Sequence, residues 1–242
     1  MLRALKQLDR LLRGELTGAE QLDAQPSRGF QIPLRTFVPL AIGLGATYGF
    51  FMGWYALALN WGQPTNKGWM QLLAGMVKLP ALFLLTLVVT FPSLYVFNAL
   101  VGTRLGFLAV LRVLVAAIAV NLAVAASLGT ILAFFTLSTT SYHFIVLLNV
   151  ALLAIAGAVG LGFLLKTLQR ISATLSAAAP GENSGSTIFF IWVIIYALVG
   201  MQMGWLLRPF IGHPGAAFEW FRVREGNFFL SVIEHLQKLL GS

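Results

Sequence analysis

Five stretches of the 242-residue chain are apolar on every face: 37–60, 80–101, 113–137, 144–165 and 187–207. Each is bounded by charge, proline, glycine or a polar cluster. A helix needs roughly 20 such residues to cross about 30 Å of hydrocarbon, so each stretch predicts a transmembrane helix. Barrel strands would alternate polar and apolar over segments of about 10 residues, and none of the five does. The expected fold is all-α, a polytopic helical membrane protein of five spans. Residues 36–207 form the transmembrane domain, with an N-terminal region at 1–35 and a C-terminal tail at 208–242.

Outside the spans the pattern turns amphipathic. Leu2, Leu5, Leu8, Leu12 and Leu16 form one helical stripe, and Arg3, Lys6, Arg10 and Arg13 another. Such a helix lies at the membrane interface, with its basic face toward anionic lipid headgroups, or packs on another protein or subunit. The segment lacks the continuous apolar run and small-residue cleavage site of a secretory signal. Trp69, Leu72, Leu73, Met76 and Val77 follow helical spacing and predict a short helix along the outer face, ending where Pro80 opens the second span. Pro92 should kink that span. The tight connection 138–143 makes the third and fourth spans antiparallel neighbours, and the Gly/Ser-rich stretch 171–186 predicts a loop. The tail carries Phe210, Phe218, Trp220 and Phe221, then a helix that Asn227 can N-cap, with Glu234 and Lys238 as an i,i+4 pair before Gly241. It is expected on the membrane surface or over a neighbouring subunit.

Composition removes whole classes of protein. Residues of the AVILMFWYC set make up 58% and charged residues 10%, against about 25% charged in soluble domains; mean hydropathy is +0.85. A water-facing surface cannot be built from so few charges. With no cysteine, thiolate catalysis, iron–sulfur clusters and cysteine zinc sites are excluded. Net charge is +8, and no Asp or Glu occurs between positions 24 and 181. Near alternate span ends the Lys and Arg number ten on the N-terminal side and six on the other. The positive-inside rule then places the N-terminus in the cytoplasm, in a bacterial inner membrane, with the C-terminus outside.

Candidate chemistry is sparse. No ionisable residue marks a span centre, so a carboxylate proton relay or an acidic selectivity ring has no residues to run on. Hydrolase, zinc-protease, P-loop and EF-hand patterns are lacking, and His143, His213 and His235 are scattered. The expectation is a protein that is not an enzyme, with no cofactor, no metal and no nucleic-acid partner. The polar residues within spans are Tyr48, Tyr95, Asn98, Asn121, Ser127, Asn149, Tyr196 and Gln202. Side chains like these hydrogen-bond between helices, for about 0.6 kcal/mol on average. The alternative is a polar cleft or pore lined by Asn98, Asn121, Asn149 and Gln202 and opened at Pro92. Small residues at Gly45, Gly49 and Gly53, and at Gly157 and Gly160, let backbones approach, within one subunit or across a homo-oligomeric face.

The layout of an N-terminal region followed by five closely spaced spans over 36–207 resembles the Yip-type membrane family. That resemblance implies a trafficking or membrane-organising protein, partnering small GTPases in eukaryotic members. The family's Asp-Leu-Tyr-Gly-Pro segment has no counterpart here, so GTPase partnering does not carry over. Lys78 to Pro80, Phe91 to Asn98 and Trp205 to Gly212 are similar to strings in bacterial multi-span proteins without assigned function. The expected role is a non-enzymatic oligomeric scaffold or accessory subunit, in contact with lipid and with copies of itself or another membrane protein. The alternative is a channel or transporter for an anionic or neutral solute.

Overall fold

The structure is a computed structural model, described for residues 2–13, 33–59, 67–100, 107–139, 141–176, 184–212, 218–221, 226 and 228–240. It contains helices α1 (Leu2–Leu12), α2 (Leu34–Leu59), α3 (Lys67–Leu100), α4 (Phe107–Ser138), α5 (Tyr142–Ser176), α6 (Ser184–Leu206) and α7 (Phe228–Leu240), and no strand among the described residues. Four helices, α2 to α5, are long and apolar enough to cross a membrane, and α6 adds a shorter apolar stretch at Phe190–Leu206. The chain is a polytopic helical membrane protein. Its helices run past the predicted spans. α3 takes in Trp69–Lys78 without a break and continues through both Pro80 and Pro92, while α5 reaches Ser176 and α6 begins at Ser184. No separate surface helix precedes Pro80. Trp69, Leu73 and Val77 face outward, but Gln71, Leu72, Ala74, Gly75 and Lys78 are buried, so this stretch is the first third of α3.

The five apolar helices close into a ring in the order α2–α3–α6–α5–α4 and back to α2. The α2–α3 hairpin is the most extensive contact, and glycine makes it. A Cβ at Gly49 would overlap the carbonyl of Gly75, one at Gly53 would overlap the backbone of Leu72, and one at Gly45 would lie 3.1 Å from the Cβ of Pro80. The Gly45/Gly49/Gly53 face is therefore filled from within the chain, the first of the two alternatives the sequence left open. Dispersion and the exchange of backbone surface for backbone surface hold such a crossing together where lipid tails are as apolar as the side chains. On the far flank of α2, the Phe51 ring covers Gly129 of α4. Gly160 of α5 packs on Asn121 of α4, with a Cβ there 2.6 Å from the Asn121 Cβ, whereas Gly157 faces open space. α4 and α5 follow one another across the predicted tight connection.

Helix length then shapes one end of the ring. α6 has 23 residues where α3, α4 and α5 have 34, 32 and 35. Gly204, near the end of α6, approaches Leu82. From Leu82 back to Lys67 the α3 helix runs on for about 22 Å at 1.5 Å per residue. A gap opens above α6, and the tail folds into it. Leu207, Pro209 and Ile211 are buried there, and a Cβ at Gly212 would lie 2.7 Å from the Ala56 Cβ. This corrects the expectation that the tail simply lies on the membrane or on a neighbour. Gly226, at φ 78°, turns the chain into α7 in a conformation that side chains with a Cβ rarely adopt.

α7 buries no residue fully and rests on α5 and α6. At the other end, α1 rests on α2 and α4 through Leu8 and Leu11, while Leu5 and Leu12 on the adjoining flank stay exposed. The Leu2/Leu5/Leu8/Leu12/Leu16 stripe is thus rotated, with Leu11 at its buried centre; Leu16 and the side chain of Leu2 lie outside the described residues. Asn227, the expected N-cap, and Gly241 also lie outside them.

Gly49→Leu tests the hairpin. The side chain has nowhere to go except into the Gly75 backbone, so the expected outcome is a loss of about 3 kcal/mol or more. In detergent this reads as failure to give a monodisperse, thermally cooperative particle. A variant that folds as stably as the parent would mean that α2 and α3 do not meet at these glycines.

Candidate functional site: the cavity above the short helix

The tail fills the gap above α6 incompletely. A cavity of about 190 Å³ remains, walled by α5 (Tyr142, Asn149), α6 and the chain after it (Trp205, Arg208) and α7 (Ser231, His235), with Met52, Leu79 and Leu82 completing it. Arg208, two residues past the end of α6, stacks on Trp205, the guanidinium carbon 3.5 Å from the ring centroid. Among the described residues no acidic side chain lines the cavity. On its floor Asn149 accepts a hydrogen bond from the Tyr48 hydroxyl at 2.9 Å, joining α5 to α2 across the interior of the ring. The α7 wall is held by rings: His235 lies 5.1 Å from His143 and 5.9 Å from Tyr142 between centroids. The Nδ1 of His235 is 2.8 Å from the carbonyl of Ser231.

The tail is clamped over this cavity by two polar side chains of α3. Gln71 donates to the carbonyls of Pro209 at 3.1 Å and Phe210 at 2.7 Å. Lys78 donates to the carbonyl of Pro209 at 3.1 Å and to that of Trp220. Its ammonium also faces the Trp220 and Phe221 rings, at 5.9 and 5.2 Å from their centroids. Non-helical backbone in a low-dielectric setting must find donors inside the protein, and these two residues supply them. Lys78 is one of the six Lys and Arg that the charge count places on the side opposite the N-terminus. In the fold it is buried, with 3% of its surface exposed. The missed signal was a lysine and a glutamine seven residues apart, two helical turns and hence one face.

A second cavity, of about 20 Å³, lies deeper between α4, α5 and α6. Asn121 and Tyr196 both line it, and the Asn121 Oδ1 and the Tyr196 hydroxyl are buried without a hydrogen-bond partner among the described residues. The two cavities share no lining residue. Of the five positions expected to line one polar path, the four whose side chains are described are therefore not brought together. Asn149 and Asn121 belong to different cavities, and Pro92 and Gln202 are exposed on the outside of the ring. The side chain of Asn98 lies outside the described residues. Beside Pro92, the Trp192 indole donates to the Ser93 hydroxyl at 3.2 Å and the Thr90 carbonyl at 3.4 Å, which ties α6 to α3 there.

On the N-terminal side, Lys6 and Arg10 of α1 and Arg13 just past its end are exposed; Arg13 pairs with Asp9 at 3.1 Å. The Arg3 side chain lies outside the described residues. Among the described residues no group of three or more His, Asp or Glu could hold a metal ion. Comparison with protein-family models, with curated proteins and with solved structures gives no match to this chain.

Two substitutions probe these polar groups. Lys78→Met removes charge-assisted hydrogen bonds to the tail, each worth about 1.5–3 kcal/mol. A lower melting temperature and faster tryptic cleavage of the tail are expected, and unchanged proteolysis would show that the tail is held without Lys78. Tyr196→Phe deletes a buried hydroxyl without a partner, so stability should rise by about 1 kcal/mol or hold steady. A clear loss in thermal melts would reveal a hydrogen bond to that hydroxyl.

Proposed function

We propose that the protein is a non-enzymatic oligomeric scaffold or accessory subunit of a membrane complex, its N-terminal face toward the cytoplasm of a bacterial inner membrane. The observation that carries this reading is the dispersal of the polar side chains. Asn149 is spent on Tyr48, Lys78 and Gln71 on the tail, and the two cavities stay separate, so among the described residues no file of polar groups runs through the ring. What the fold leaves unfilled is on its outside. α1 is fastened by Leu8 and Leu11 and leaves Lys6, Arg10 and Arg13 exposed, a basic rim that suits anionic headgroups, at about 1 kcal/mol per residue near the surface. α5 is the least covered of the four long helices. Its outer face carries Ala154, Ala158 and Gly162 at four-residue spacing, with Ala154 and Ala158 exposed and open space at Gly162. That face, together with open Gly157, is where a second copy or a partner helix packs.

A solute path is the second reading, favoured by one observation: the donor-lined cavity above α6. Ala158→Leu separates the two. The scaffold reading expects a shift of the detergent-solubilised particle toward monomer with the melting temperature unchanged, and chloride flux in reconstituted liposomes no greater than in empty ones. Flux above that baseline, lowered by Asn149→Leu, would favour the solute path. An unaltered particle size would remove α5 as the contact face.

A further inference from the structure

We propose that the cavity above α6 is a binding site for a short-chain monocarboxylate, with the carboxylate at Arg208 and Trp205 and the alkyl chain against Leu79, Leu82 and Val150. The inference does not depend on the scaffold reading. It rests on the size, shape and one-sidedness of the site.

The polar groups are biased toward donors. Arg208 offers only N–H groups, and so does the Trp205 indole, whose nitrogen is buried without an acceptor among the described residues. Asn149 has its oxygen engaged by Tyr48, which leaves its amide N–H groups for the cavity. Ser231 on the α7 wall can serve either way, and His235, with its Nδ1 facing the Ser231 carbonyl, has only its Nε2 left for other partners. Among the described residues of the lining there is no Asp or Glu and there is one guanidinium, which favours an anion over a cation.

Volume sets the length. An apolar cavity of about 150 Å³ is known to hold benzene. The space therefore suits a carboxylate on about five carbons. Access is through the α7 wall, since that helix contributes Ser231, Val232 and His235 to the lining while burying none of its side chains fully.

The test uses the full chain in mild detergent and saturation-transfer NMR with hexanoate, hexanol and hexylammonium as probes. Saturable hexanoate binding is expected, with hexylammonium weaker by about tenfold or more. Arg208→Gln should cut hexanoate binding by about tenfold while hexanol binding persists. Should that variant fail to fold, Val232→Trp carries the same test from the periphery, because it fills the cavity from a helix with no fully buried residue and should abolish binding of all three probes. The proposal is overturned if hexanoate does not saturate, if hexylammonium binds as tightly, or if Val232→Trp leaves hexanoate binding intact. Displacement of hexanoate by a short-chain phosphatidylglycerol would overturn it too, assigning the site to a lipid headgroup.

Discussion

The contact on which the rest of this molecule depends is the meeting of two backbones without side chains between them. At Gly49 and Gly75 the α2 and α3 helices approach until a single methyl group would collide. Because both helices are long, the hairpin so formed reaches well beyond the end of α6. One flank of it, bearing Gln71 and Lys78, is left without a helical neighbour. The tail is the only described segment placed to cover that flank, and it does so with irregular backbone. Irregular backbone brings unpaired carbonyls, and Gln71 and Lys78 are the donors that satisfy them. Glycine packing, a short helix, a folded-back tail and a buried lysine thus form one chain of consequences.

The same sequence of constraints explains where the cavities lie. Helices of equal length, packed at interior density, would leave few voids larger than a water. Here α6 ends early, and an extended segment is a poor substitute for a helix in filling a ring position. The larger cavity follows directly from that mismatch. The smaller one has a different origin, since Gly160 draws α5 onto Asn121 and leaves the Tyr196 hydroxyl and the Asn121 oxygen facing a space of about 20 Å³.

The two amphipathic ends behave differently for a reason visible in their wheels. α1 has an apolar arc wide enough to be split, with Leu8 and Leu11 spent on the bundle and Leu5 and Leu12 left over beside a basic face. A helix attached in this way presents a fixed rather than a diffusing basic surface. α7 has its apolar residues spread more widely, and with Phe229, Leu230, Ile233 and Leu236 exposed it leans on the bundle through ring contacts at Tyr142 and His143.

Five apolar stretches, the absence of acids between positions 24 and 181, and the glycine spacing on α2 were all legible in the chain, because length, hydropathy and small-residue spacing are local properties that bilayer physics constrains directly. By themselves they determined an all-helical membrane protein with a close helix crossing. Which helix meets Gly45, Gly49 and Gly53 was not local information, since a small face reads the same whether a neighbour or another copy fills it. Nor was the burial of Lys78, because a lysine near a predicted span end is normally a flanking charge. Only the tertiary structure, in which α6 stops short and the tail returns, turned it inward. The scatter of Asn121, Asn149, Pro92 and Gln202 was decided at the same level. Residues of like chemistry on different helices share a site only if the helix rotations agree, and rotation is set by packing rather than by sequence position.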